Sequence, residues 1–325
     1  MNKQFLRGLT LGVLGVLGLS CASAYAKTSQ TEWLQQEQIS IAKASANLLE
    51  QAHSYQQQVE RYCAEPSVQG LLNTQQMWKQ NYLAYLPLQS SALGPLVDLK
   101  LNWAISYWPD KKDTTGRKVK AALSNAPAPL SDTHSNLRVH EYLLFEAISD
   151  HQRCSLLPGT ISRYVSAIEQ VHGGLQSSEL AALEIAQLRS DVLNSYRLQT
   201  SVMLRKYRAM YSAKHQRLRP YQGEAWRADI SAQLLAEQLV LLHNRYEQDL
   251  ALYLSSVDAK LAKQVSGQFN DLVPLMPSQE PSGDNASLEA WQLAEPKLAK
   301  LDSLFANQIP QALEIELGFN NNDGD

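Results

Sequence analysis

Arg138 and Glu141 put two opposite charges on the face of a helix that should be buried. In the stretch NLRVHEYLLFEA (136–147), a helical advance of about 100° per residue gathers Leu137, Arg138, Glu141, Leu144, Phe145 and Ile148 into one stripe. A carboxylate there needs a partner, because a buried charge is tolerated only when it is paired or bound to a metal. Arg138 stands three positions before Glu141, within reach on a helix surface. His134 falls on the same face, whereas His140 points roughly 100° away. The chemistry open to this set is an internal ion pair or, with His134, ligation of a metal.

Three other groups carry candidate chemistry. In NWAISYWPDK an aromatic helix end, with Trp103, Tyr107 and Trp108, runs into a proline turn. That pattern closes a core, but Asp110 starts the turn and is free to face a ligand beside Trp108. His243 and Glu247 lie four apart on one helical face, the spacing of a two-residue metal clip and equally of a hydrogen-bonded pair at a helix seam. Between Val192 and Gly223 stand Arg197, Arg205, Lys206, Arg208, Lys214, Arg217 and Arg219 and no acid. This run either meets an anionic partner or forms a solvated helix face. The end, GFNNNDGD (318–325), is not a calcium loop: counting back from Gly324 puts Phe319 where the first carboxylate belongs. Phosphate-loop, HExxH, nucleophile-elbow and dinucleotide fingerprints do not occur.

The elements that must position these residues are helices. Long proline-free stretches rich in Ala, Leu, Gln and Glu dominate, and no run alternates with period two over a useful length. The spacing predicts an all-α chain with helices at 30–62, 68–85, 94–107, 114–124, 132–149, 157–174, 178–213, 226–256, 258–272 and 286–312. Ser131, Asp132 and Thr133 are the candidate caps of the charged-pair helix. His172-Gly173-Gly174 is the best central break, dividing the chain into helical bundles at 27–174 and 175–325.

Residues 1–26 read as an export signal: Lys3 and Arg7, the apolar run LTLGVLGVLGL, and small residues ending at Ala26. The alternative is a lipoprotein cut before Cys21. Loss of Lys3 and Arg7 moves the formal charge from -3 to -5, which gives no reason to expect a nucleic-acid partner. The apolar run is too short for a stable transmembrane anchor, and no other segment is expected to span a bilayer. The expected location is the periplasm. Cys63 and Cys154 would remain, as one disulfide or as two buried thiols.

Several segments together resemble the imelysin family of exported, all-helical bacterial proteins. They are CAEPS with MWKQNYLAY, GPLVDLKLNWAISYWPDKKDTTGRKV, VHEYLLFEA, RCSLLPGTISRYVSAI and GFNNNDGD, in family order over nearly the whole mature chain. The resemblance implies two helical bundles, a role in iron or other metal uptake, and a metal or functional site at a GxHxxE motif between the bundles. Aligned on EYLLF, the motif's Glu is Glu141, its His position is Arg138 and its Gly position is Asn136. A guanidinium cannot ligate a metal but can clamp a carboxylate. His134, or His140 after local unwinding, would have to replace the missing ligand. The family name implies a metallopeptidase; the non-enzymatic alternatives are a protein that binds a metal complex, an anion or a cell-envelope protein partner, and a scaffold braced by Arg138–Glu141. Iron or another divalent metal is the cofactor the resemblance suggests.

Overall fold

The computed structural model describes residues 29–110, 112–124, 130, 135–277 and 285–317. Helix α1 (Gln30–Ala64) starts where Ser29 and Glu32 form a reciprocal capping box, the Ser29 hydroxyl accepting from the Glu32 amide and the Glu32 carboxylate from the Ser29 amide. It packs along α2 (Val68–Tyr85) and α7 (Asp150–Gly174). Between α2 and α7 come the short helices α3 (Pro95–Asp98) and α4 (Leu101–Ile105), then α5 (Thr114–Ser124) and α6 (Leu137–Phe145). The second half contains α8 (Ser177–Ala181), α9 (Ile185–Met210), α10 (Ser231–Arg245), α11 (Ala251–Val257), α12 (Ala259–Leu272), α13 (Asn285–Ser303) and α14 (Ile309–Leu313). Among the described residues the only sheet is a two-stranded ribbon, β1 (Tyr211–Ser212) against β2 (Arg217–Leu218).

Helix α1 belongs to both halves. Its later turns bury Leu48, Tyr55 and Val59 against α2 and α7, while Trp33 in its first turn stacks on Tyr253 of α11 at 5.1 Å. Cys63, at the end of α1, is joined to Cys154 in the first turns of α7, with Cα atoms 5.3 Å apart. No described helix is long and apolar enough to cross a membrane.

Several boundaries differ from the sequence expectation for identifiable reasons. The charged-pair helix runs over 137–145 rather than 132–149, because Asn136 caps it by accepting from the Arg138 and Val139 amides at 3.0 and 3.2 Å. The expected caps Ser131, Asp132 and Thr133, and also His134, lie outside the described residues. Helix α7 begins at 150 rather than 157: a Ser149–Gln152 capping box starts it, and it continues through Pro158. The expected helix at 94–107 breaks at Lys100, whose φ of 54° is left-handed. The helix expected from 226 starts at Ser231, because residues 226–228 form a 3-10 turn and Asp229 takes a φ of 57°.

Candidate functional site

That last departure builds the site. The turn Trp226–Ala228 points two backbone amides at Glu141: Oε1 accepts from Arg227 N at 2.7 Å and Ala228 N at 3.3 Å. Oε2 accepts from Arg138 Nη1 at 2.7 Å. Both side chains are almost wholly buried. Burial pushes the Glu141 carboxyl above its usual range, and Arg138, Arg227 and the two amides pull it partly back. Arg138 Nη1 also donates to the Glu224 backbone carbonyl, so the guanidinium ties α6 to the segment preceding α10. Arg138 Nε is buried without a hydrogen-bond partner.

Three further ion pairs flank this core. The Glu224 carboxylate accepts from Lys206 Nζ of α9, from Gln89 Nε2 at 2.7 Å and from the Ser106 hydroxyl at 2.8 Å, and Ser106 Oγ is 2.8 Å from the Tyr82 hydroxyl. Burial alone would raise Glu224, but Lys206 and the hydrogen bonds hold it below its ordinary value, while burial pulls Lys206 below its own and Glu224 offsets this only in part. Arg227 bridges Asp113 at 2.5 Å and Glu146 at 2.7 Å, with its guanidinium 4.2 Å from the Trp226 ring. Helices α2, α6 and α9 and four connecting segments are thereby joined through one charged interior.

An open cleft of about 350 Å³ lies against it, lined by Trp108, Asp110, Arg138, Arg205, Arg208 and Tyr221. Trp108 also borders a second hollow of about 140 Å³ that reaches Lys206 and Glu224. The Trp108 indole N–H donates to the Gln222 carbonyl at 3.4 Å. Asp110 is already engaged: its two oxygens accept from the Thr114 and Thr115 amides at 2.6 and 2.9 Å, capping α5. Burial works to raise Asp110, but these bonds and the Arg138 charge hold it below its ordinary value. Arg208 is paired with Glu295 at 2.7 Å, while Arg205 has no carboxylate within ion-pair distance among the described residues. Three guanidiniums therefore line the cleft, Arg138 and Arg208 already paired with Glu141 and Glu295 and Arg205 without a carboxylate partner among the described residues, beside one carboxylate whose oxygens are taken.

This donor set does not suit a divalent metal. Arg138, which cannot ligate a metal, occupies one Glu141 oxygen and a backbone amide the other, and among the described residues no three His, Cys, Asp or Glu side chains converge. His140 does not take the place of the missing ligand: its ring lies between Tyr55 and Tyr164, with centroids 5.6 and 5.5 Å away, on another face of α6. His243 and Glu247 stand 3.4 Å apart in the second half, the His243 ring stacked on Phe269 at 4.8 Å, with no third ligand. Of the residues singled out in the sequence, Arg138, Glu141, Trp108 and Asp110 come together and His243 and Glu247 do not join them.

Sequence reasoning missed Glu224, Gln89, Ser106 and Arg227. It counted Lys206 only as part of a basic run. A signal for Lys206 existed: on α9 it falls between Met203, Tyr207 and Met210 in the 3–4 spacing of a buried face.

His140 has a consequence for acid stability. Burial lowers its pKa from 6.5 to about 3, a shift that the Thr160 backbone carbonyl offsets only in part. The unfolded chain takes up a proton below about pH 6.5 and the folded one does not, so stability is whole above that pH and falls as pH drops toward about 3. The expected slope from this group approaches ~1.4 kcal/mol per pH unit. His140→Phe should flatten the decline seen by urea titration between pH 6.5 and 4; an unchanged decline would assign it to other groups.

The fold and the site define a class: an all-helical protein whose halves enclose a charged interior beside a polar cleft. The imelysin family model matches residues 41–295, and the chain belongs to that family. An imelysin-like protein from Psychrobacter arcticum 273-4 superposes with a TM-score of 0.73 at 17% identity, covering 90% of this chain and 98% of that one. A candidate iron-regulated protein A precursor from Parabacteroides distasonis ATCC 8503 gives 0.67 at 12% identity, covering 89% and 97%. Among curated proteins none matches.

Proposed function

We propose that this chain is an exported, periplasmic, non-catalytic member of the imelysin family that binds a small multivalent anion in the cleft beside Trp108. A carboxylate chelate of a metal belongs to that ligand class. The observation that carries this reading is Arg138 at the family's histidine position, its buried guanidinium lining the cleft together with Arg205 and Arg208. Guanidiniums recognise carboxylates and phosphates through paired hydrogen bonds, and those held in a partly dry cleft do so more strongly than in water. An anionic metal complex is also the cargo that reconciles this donor set with the family resemblance and with a structural relative described as iron-regulated. In this reading the two bundles divide near Gly174, the Arg138–Glu141–Glu224 network is the rigid floor of the site, and an uptake partner at the cell envelope receives the loaded protein.

The peptidase alternative has little support. Metallopeptidase hydrolysis needs a metal with an open position and a general base, and the carboxylates beside the cleft are committed to amides, Arg138 or Lys206.

Calorimetric titration of the mature protein with citrate, ferric citrate and inorganic phosphate tests the proposal. Binding of at least one of them should weaken at least tenfold in Arg205→Glu, with no change in thermal midpoint. Equal heats in the wild type and the variant, or no binding by any of the three, would remove the anion reading and leave the network as a structural brace.

A further inference from the structure

A third cavity, of about 550 Å³, opens between α1, the turn after α2, α9 and α10. Its walls are largely apolar, formed by Ile41, Ala44, Leu86, Leu88, Leu241 and Leu242. One end is charged and unbalanced. Arg245 pairs with Glu37, Nη2 at 2.7 Å and Nε at 2.9 Å from Oε2, while Glu37 Oε1 accepts from Trp33 Nε1 at 3.2 Å and the Tyr196 hydroxyl at 2.7 Å. Only Nε makes a hydrogen bond to Glu37; Nη2 stays within ion-pair distance of it but has no hydrogen-bond partner. Asp249 lies beside them, only 5% exposed, and its Oδ2 has no hydrogen-bond partner. Two carboxylates thus share one cation. Asp249 sits in a π-helical turn, Tyr246–Leu250, a local conformation that is frequent at functional sites. Gln238, 2% exposed and lining the same cavity, has an unpartnered Nε2.

We infer that this cavity is a second binding site, for a protonated amine carried on an apolar body, with the ammonium donating to Asp249 and the body packed between Leu86, Leu88 and Leu242. The missing positive charge and the unused carboxylate oxygen call for a cationic donor. A divalent metal would need several oxygen ligands, and here only one carboxylate oxygen is unpaired beside a guanidinium. The apolar walls favour an aliphatic or aromatic body over a hydrated ion. Burial, with the Glu37 charge adding to it, raises the Asp249 carboxyl to about 6, against which the Ser40 hydroxyl and Arg245 act only in part. The other charged group lining the cavity, Lys43, is exposed. Amine binding should accordingly be stronger at pH 7.5 than at pH 5, where Asp249 is protonated. This site is independent of the anion cleft.

The test is an NMR titration of the full mature protein with hexylamine, 1-hexanol and hexanoate. Hexylamine should bind at least tenfold more tightly than 1-hexanol, and hexanoate should not bind. Asp249→Asn should erase the preference for the amine over the alcohol, and Ala44→Trp, which fills the cavity and leaves Asp249 in place, should remove binding of both. Unchanged thermal midpoints in the two variants would show that they remain folded. Equal binding of amine and alcohol to the wild type, or an amine affinity unaffected by both variants, would overturn the assignment.

Discussion

Replacing Arg138 with alanine should lower the stability of the protein by about 3–5 kcal/mol. The size follows from what is left behind. Glu141 would keep its two amide donors from the 226–228 turn but lose the one cation bonded to its carboxylate among the described residues, in a place with no solvent exposure. The Glu224 carbonyl would lose its guanidinium donor as well. Most of the cost is therefore the desolvated, uncompensated carboxylate rather than the worth of the pair. The double change Arg138→Met with Glu141→Leu tests that distinction: it removes both charges and should cost far less than the single alanine change, because a buried pair replaced by apolar groups of similar size is often nearly neutral. Urea titration at pH 7 measures both. A loss below about 0.5 kcal/mol for Arg138→Ala would mean that the pair is effectively solvated.

Loss of the Cys63–Cys154 bond should be comparably severe. The cross-link closes a loop with a sequence separation of 91, and the chain-entropy relation assigns such a loop roughly 4–5 kcal/mol of stabilisation. The bond joins the end of α1 to the start of α7, the two helices that pack along each other's length, so its removal also frees the end of α1. Cys63→Ser with Cys154→Ser, compared with the oxidised wild type by urea titration, should show a loss of several kcal/mol. A shift within about 1 kcal/mol would mean that packing of α1 on α7 already restricts the unfolded chain or that the bond introduces compensating strain.

Much of the architecture is legible in the chain because helical periodicity is a local property. Leu137, Glu141 and Leu144 declare their shared face within two turns, and the resemblance around EYLLF extends that reading to the whole fold. The ends of helices depend on finer competition. Asn136 outbids the polar residues upstream because its side chain reaches two amides of the first turn, and Lys100 breaks an otherwise helical stretch through one left-handed backbone conformation. The site was legible only in its first half. Arg138 and Glu141 are three residues apart, so their pairing can be read from spacing. Gln89 and Ser106 are brought to Glu224 by tertiary packing across more than a hundred residues, Lys206 reaches it from 18 residues away on a separate element, and Glu224 sits in the loop Gly223-Glu224-Ala225 with no local pattern to mark it. The same limit hid Asp249: its unpaired oxygen is a property of what surrounds it in space.

The pairing in α6 also bears on the expectation, from the resemblance at EYLLF, that Arg138 stands where the family motif has a histidine. A histidine at position 138 would leave Glu141 available to a metal, whereas arginine occupies the carboxylate permanently, since it does not deprotonate in proteins. The claim that Arg138 has replaced metal ligation is tested most directly by elemental analysis of the purified mature protein alongside its Glu141→Gln variant. The account predicts no stoichiometric iron, zinc or copper that depends on Glu141. One equivalent of metal in the wild type, lost in the variant while the fold is retained, would contradict it.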